Sequence, residues 1–138
     1  MMVFNPLYSS TRMLSGVAVL LSLGLCQGAA AVENADFRFD TTKELAAVCA
    51  VQTAEPEYPV ARQACRAFIE ATGQYHDLVS KPGKLRRLVC YPPTATIEDG
   101  VSAFNTWAAA HAGDAKVMGE PPVVGLVRAL AAKYPCKG

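Results

Sequence analysis

The stretch CYPPTATIED, residues 90–99, begins the second half of the chain, which closes with ALAAKYPC at residues 129–136. Cys90 and Cys136 bound this half, and Cys49 and Cys65 stand upstream. The four cysteines are widely spaced and form no C-x-x-C pair, unlike the ligands of most zinc or redox sites. They predict two structural disulfide bonds, each typically worth ~2–4 kcal/mol.

Four cysteines allow three pairings, and the sequence leaves all three open. We favour Cys49–Cys65 with Cys90–Cys136, because this pairing joins neighbouring elements. The alternatives are Cys49–Cys90 with Cys65–Cys136, and Cys49–Cys136 with Cys65–Cys90.

Two helices are predicted before Cys90. Thr41 and Glu44 have the spacing of a capping box, in which each residue satisfies a free backbone N–H of the other, and they begin a short first helix. The second and longest helix is predicted over residues 60–79. Its apolar stripe consists of Cys65, Phe68, Ile69, Thr72, Tyr75 and Val79.

Two more helices are predicted between Cys90 and Cys136. Thr96 and Asp99 form a second candidate capping box, and the helix that follows ends near Gly113. A polar loop is predicted over residues 113–120, and the proline pair 121–122 then begins the last helix. Because no stretch alternates as a strand does, the sequence predicts an all-α domain of four helices, stapled by disulfide bonds.

The N-terminal residues have the pattern of a secretory signal peptide. Arg12 precedes an apolar run of about thirteen residues, 13–25, which is too short to span a bilayer, and small residues follow up to Ala31. We expect cleavage after Ala31, which leaves residues 32–138 as a single domain. A lipoprotein anchored at Cys26 is the alternative, but Leu25 lies where a small residue is usual.

The charge balance gives no support to nucleic-acid binding. Arg12 is the one charged residue of the expected signal, so the remaining chain carries twelve Lys and Arg against twelve Asp and Glu. A nucleic-acid-binding domain normally shows a basic excess. Without a further long apolar segment, the product is expected to be an exported protein that leaves the membrane after cleavage. The sequence is also compatible with a homodimer.

No catalytic or metal-binding constellation stands out. Tyr75, His76 and Asp77 lie near Ser80, but consecutive helical residues point in different directions and form no relay by themselves. The aromatic residues Phe104, Trp107, Tyr75 and Tyr91 could line a ligand pocket, although core packing is the simpler interpretation. We therefore predict no enzyme activity, no metal and no cofactor.

Taken together, the motifs resemble those of the Rap1a/Tai family of type VI secretion immunity proteins. The resemblance covers the signal peptide, the capped helix ending at Cys49 and the ACRAFI helix at residues 64–69. It continues through CYPPTATIED and AFNTWAAAH at residues 103–111 to the last helix, which ends in KYPC at residue 136.

This resemblance implies a small fold similar to that of the acid-stress chaperone HdeA, and residence in the periplasm. There the protein would bind a cognate effector, such as a peptidoglycan amidase, and block its active site with a protruding loop. The alternative function is an HdeA-like acid-stress chaperone.

Two polar stretches are the candidate contact loops. The basic run KPGKLRR, residues 81–87, is most simply interpreted as a solvated turn between helices, and contact with an acidic partner surface is the alternative. The second stretch is the loop predicted over residues 113–120. The candidate partner-binding residues are Lys84, Arg86, Arg87, Asp114, Lys116 and Glu120.

Overall fold

The computed structural model describes residues 31–82 and 84–137, and every structural statement below refers to these residues. Apart from Ala31, the predicted signal peptide lies outside the described residues. A short 3-10 turn, Asp36–Arg38, precedes the helices. The helices are α1 (Thr42–Cys49), α2 (Tyr58–Val79), α3 (Ile97–His111), α4 (Ala115–Met118) and α5 (Pro122–Lys133). The described part of the chain contains no strand, which confirms the all-α prediction.

Both predicted capping boxes are present. The Thr41 hydroxyl accepts a hydrogen bond from the backbone N–H of Glu44, and the Glu44 carboxylate accepts one from that of Thr41. Thr96 and Asp99 form the same pair of bonds at 3.1 and 2.9 Å. These bonds satisfy donors that a helix start leaves free, so α1 and α3 begin where the sequence placed them.

Helix α4 lies inside the stretch that the sequence predicted as a loop. Asp114 begins it by accepting hydrogen bonds from the backbone N–H groups of Lys116 and Val117, both at 3.1 Å. Met118 then inserts into the core and is 5% exposed. The prediction was wrong for these residues because a single helical turn is too short to show a periodic pattern.

The core forms where α1 packs against α2, α3 and α5, and where α3 packs against α5. The largest buried apolar side chains are Phe104, Leu45, Leu126, Val48 and Val89. Val89 belongs to no helix, so the chain between α2 and α3 also contributes to the core. That contribution fixes the position of the segment that leads to Cys90.

The disulfide bonds follow the first of the three pairings. Cys49, at the end of α1, is bonded to Cys65 in α2, with a Cα–Cα distance of 5.1 Å. Cys90 is bonded to Cys136, with a Cα–Cα distance of 4.9 Å, and its backbone N–H donates to the carbonyl of Tyr134. The second bond therefore ties the segment after α2 to the end of the chain.

Candidate functional site

Large apolar side chains are exposed mainly around the end of α2. Six are exposed among the described residues, and four of them lie between positions 75 and 88. These four are Tyr75 at 67%, Leu78 at 53%, Leu85 at 67% and Leu88 at 55%. Because exposed apolar groups gathered in one region commonly mark a binding surface, this clustering singles out the segment. We call residues 75–82 and 84–88 the α2-end surface.

Backbone hydrogen bonds hold the two halves of the α2-end surface together. The N–H of Leu85 donates to the carbonyl of Val79 at 2.9 Å. The N–H groups of Leu88 and Val89 both donate to Nε2 of His76, at 3.2 and 3.3 Å. The chain after the turn therefore runs back beside the last turns of α2, and the backbones of Leu85 and Leu88 lie next to that helix.

The same surface carries cations that make no ion pair. Lys81, Lys84 and Arg86 are exposed, and none of them takes part in an ion pair among the described residues. Exposed cations of this kind remain available to an acidic partner and speed its approach through long-range attraction. Lys84 and Arg86 thus fit the role expected for them, which stays a prediction.

Arg87 is engaged inside the protein. Its guanidinium lies 2.7 Å from the carboxylate of Asp77, donates to the carbonyl of Val89 at 2.9 Å and covers the ring of Tyr91. The Tyr91 hydroxyl also donates to Asp77. These contacts stabilise the path of the segment between α2 and Cys90, so we infer that Arg87 serves the scaffold of the surface more than the contact itself.

This network shifts two pKa values. Partial burial tends to raise the pKa of Asp77, but the hydrogen bond from Tyr91, the contact with His76 and the charge of Arg87 together lower it below its ordinary value. Burial, followed by the hydrogen bond to Asp77 and the charge of that carboxylate, raises the pKa of Tyr91 to about 12. Asp77 therefore stays ionised and Tyr91 stays protonated at neutral pH.

A family model described as Rap1a immunity proteins matches residues 41–136. The match spans all five helices and both disulfide bonds. The chain belongs to the Rap1a immunity protein family. Searches among curated proteins and among solved structures found no match, so the expected likeness to HdeA stays a prediction.

The second predicted contact loop of this Rap1a protein lies on other helices. Helix α4 packs on α1 and α3, whereas residues 84–88 lie against α2. Asp114 is occupied as the cap of α4, and the Glu120 carboxylate pairs with Arg128 at 2.8 Å. Lys116 is exposed. The two predicted contact loops are therefore supported by different helices, and Asp114 and Glu120 have structural roles.

The position of Tyr75 in α2 of this Rap1a protein differs from the prediction. The sequence predicts Tyr75 on the inward apolar stripe, but the structure leaves it largely exposed, so this prediction is wrong. His76, which is only 9% exposed, lies in the buried position instead, because the chain segment ending at Val89 covers that side of the helix. The exposure of Leu78 and Leu88 gives no signal in the sequence for the same reason, because it depends on where the chain returns after α2.

The histidines of the Rap1a protein have structural environments. Nε2 of His76 accepts two backbone hydrogen bonds and is not free to act as a base toward Ser80. His111 stacks on Trp107, with ring centroids 4.3 Å apart, and its Nδ1 lies 2.8 Å from the Trp107 carbonyl. Phe104 is fully buried, as core packing requires.

A groove of about 400 Å³ lies between α2 and α3 of this Rap1a protein. Arg62 and Arg66 lie on one side of it and both contact the carboxylate of Glu98. The Cys49–Cys65 bond forms part of the lining. Within the ranges that the structure describes, no three His, Cys, Asp or Glu side chains are grouped to hold a metal ion, and no helix combines the length and apolar character needed to cross a bilayer.

Proposed function

We propose that this Rap1a protein is a periplasmic immunity protein that binds a cognate type VI secretion effector through the α2-end surface. The effector would be a peptidoglycan-degrading amidase or hydrolase, and binding would block its active site. Family membership supports the general role in immunity. The observation that carries the choice of surface is the clustering of Tyr75, Leu78, Leu85 and Leu88 beside unpaired cations.

The composition of the surface suits a protein partner. Aromatic and aliphatic side chains supply most of the free energy at interfaces, and charges at the rim improve orientation and rate of association. Leu85 and Leu88 would fill an apolar part of the partner's cleft. Lys84 and Arg86 would meet acidic groups around it.

The surface is also held in place before binding. Val89 is buried, Cys90 is bonded to Cys136, and Arg87 pairs with Asp77. A segment anchored at these points loses little conformational freedom when a partner orders it, which favours tight binding. An inhibitor that acts by occlusion needs such a rigid surface and no chemistry of its own, which agrees with the prediction that the chain is not an enzyme.

Export through the predicted signal peptide, residues 1–31, would bring the protein to the compartment where this effector acts. Two disulfide bonds support that location, because disulfides persist in oxidising compartments such as the periplasm and are rare in the cytosol.

The test first identifies a peptidoglycan hydrolase among the proteins encoded next to the gene for this protein, and then measures its direct binding to residues 32–138. Leu85→Asp and Leu88→Asp should each weaken binding by about 30-fold or more, as expected for a residue at the centre of an interface. Val60→Asp is the matched control, because Val60 is equally exposed at 64% but lies at the other end of α2. Its effect should stay within about threefold.

Two results would contradict the proposal. If both leucine variants bound as tightly as the wild type, the α2-end surface would not be the contact. If deletion of the gene left cells fully resistant to the neighbouring hydrolase, the role in immunity would be lost.

A further inference from the structure

His76 joins α2 to the returning chain with its side chain. Its Nε2 accepts hydrogen bonds from two consecutive backbone N–H groups, those of Leu88 and Val89, at 3.2 and 3.3 Å. The imidazole is 9% exposed, so water has little access to replace it as the acceptor. Leu88 is one of the exposed apolar residues of the α2-end surface, and Val89 is its buried anchor.

These two bonds define the protonation state of His76. An imidazole nitrogen accepts a hydrogen bond only when it carries no proton, so the side chain is neutral and its proton is on Nδ1. Adding a second proton places an N–H on Nε2, facing two N–H donors. Protonation of His76 and the hydrogen bonds to Leu88 and Val89 therefore exclude each other.

Two charged groups lie near the imidazole. Oδ1 of Asp77 lies 3.5 Å from Nδ1. The guanidinium of Arg87 is 2.7 Å from the same Asp77 oxygen. Tyr91, whose ring centroid is 6.5 Å from that of His76, is neutral below pH 10 because its pKa is raised to about 12.

Other charged groups belong to the end of α5 and to the turn after α2. Tyr134, which directly follows α5, packs against Tyr91, and the ammonium group of Lys133 lies 5.9 Å from the Tyr134 ring centroid. The unpaired Lys81 and Lys84 belong to the same turn as the returning segment. Among these groups, the carboxylate of Asp77 is the one in direct contact with the imidazole.

We infer that His76 is a positioning residue for the α2-end surface. Its neutral imidazole holds this surface in the partner-binding arrangement, and protonation of the imidazole releases the surface. Histidine is the side chain whose charge changes between about pH 5 and 8. Acidification through that range therefore loosens residues 84–89 and weakens binding of the partner. The inference rests on the proposed function for its effect on binding, but the release of the segment is a property of the chain alone.

The first experiment measures the segment without any partner. Amide hydrogen exchange of Leu88 and Val89 is followed by NMR on oxidised residues 32–138 at about pH 7.5 and pH 5.5, corrected for the intrinsic pH dependence of exchange. Protection of both amides should fall about tenfold at the lower pH, as expected when a hydrogen bond of ordinary strength is lost. Unchanged protection in the wild type would overturn the inference.

Two variants separate positioning from general stability. In His76→Gln an amide oxygen replaces Nε2 as an acceptor that does not titrate, so the segment should stay protected at both pH values. His111→Gln is the control, because His111 is the other histidine of the chain and lies in α3. This variant should keep the wild-type pH response. A pH response that persists in His76→Gln, or that disappears in His111→Gln, would contradict the assignment.

The second experiment measures affinity for the neighbouring hydrolase at the same two pH values. Wild-type affinity should fall about tenfold at the lower pH, and that of His76→Gln should stay constant. If the segment opens but the hydrolase binds at neither pH, the proposed function fails and the positioning role of His76 stands. If the hydrolase binds equally well at both pH values although the segment opens, regulation of binding by His76 is excluded.

Discussion

Gly125 in α5 lies directly against the side chain of Thr42 in the first turn of α1. A methyl group added at Gly125 would overlap the Thr42 side chain, including its hydroxyl oxygen. That hydroxyl donates to the carbonyls of Glu120 and Pro121, at 3.0 and 3.2 Å, and Thr42 is fully buried. The contact therefore joins the start of α1 to the start of α5 without room for a larger residue.

Gly125→Ala should destabilise the protein. Overpacking a rigid contact costs about 1–3 kcal/mol, which exceeds the gain of up to ~1 kcal/mol from placing alanine in a helix. Gly73→Ala is the matched control, since an added methyl group there meets nothing within 4 Å, and it should stabilise by about 0.5–1 kcal/mol. Urea unfolding of both variants tests the prediction, and equal stability of Gly125→Ala and the wild type would contradict it.

Tyr91 should make the protein sensitive to alkaline pH. Its pKa is 10.0 when unperturbed and about 12 in the folded chain, so the hydroxyl keeps its proton longer in the folded state. The contribution of the protonated Tyr91 to the free energy of unfolding is complete below pH 10 and is lost as the pH rises toward 12. Between pH 9 and 11 the urea midpoint of the wild type should therefore fall more than that of Tyr91→Phe.

Absorbance titration provides an independent measurement for Tyr91. One tyrosine of the folded protein should ionise near pH 12, and this late step should be missing in Tyr91→Phe. Tyr75→Phe should retain it, because Tyr75 is exposed. A late step that survives in Tyr91→Phe would refute the assignment.

The Cys90–Cys136 bond should contribute more to stability through loop closure than the Cys49–Cys65 bond. The bonded cysteines are 46 residues apart in Cys90–Cys136 and 16 residues apart in Cys49–Cys65. For loops of these lengths, the loss of chain entropy in the unfolded state predicts a stabilisation of about 4 and about 3 kcal/mol. Guanidinium unfolding of Cys90→Ser/Cys136→Ser and of Cys49→Ser/Cys65→Ser under oxidising conditions gives the cost of each loop. The Cys90→Ser/Cys136→Ser variant should lose more stability, and an equal or larger loss in Cys49→Ser/Cys65→Ser would contradict the prediction.

Thr96→Ala should remove the cap of α3 at a cost of about 1 kcal/mol. The Thr96 hydroxyl accepts the hydrogen bond of the Asp99 N–H, and the alanine variant leaves that donor without its partner. Thr94→Ala, two residues earlier and exposed, should change stability by less than about 0.5 kcal/mol. Equal effects of the two substitutions would mean that the cap contributes little.

Local signals in the sequence were enough to place most of the helices. The capping boxes at Thr41 and Thr96 act over three residues, so their outcome depends little on the rest of the fold. The long helix α2 was found through its period, and its start was predicted two residues late because Pro59 was taken for a boundary when it lies in the first turn.

Fewer features of the candidate site could be predicted from the sequence. The described residues of the basic run, 81, 82 and 84–87, follow α2 as predicted, but Arg87 looked equivalent to Lys84 and Arg86 in the sequence. Only the approach of Asp77 and Tyr91 from the neighbouring elements distinguishes it. Exposure of Tyr75 and burial of His76 depend in the same way on which side of α2 the returning chain covers.

The sequence by itself determined the helical class, the starts of α1 and α3, and the family, because capping, periodicity and motif order depend on residues close together in the chain. The tertiary structure decided the disulfide pairing, the hydrogen bonds of His76 and the contact of Thr42 with Gly125. Each of these features joins residues that are distant in the chain. The Thr42 hydroxyl, for example, also donates to the carbonyl of Glu120, 78 positions away. Their free energy depends on how the helices pack, which no local pattern specifies.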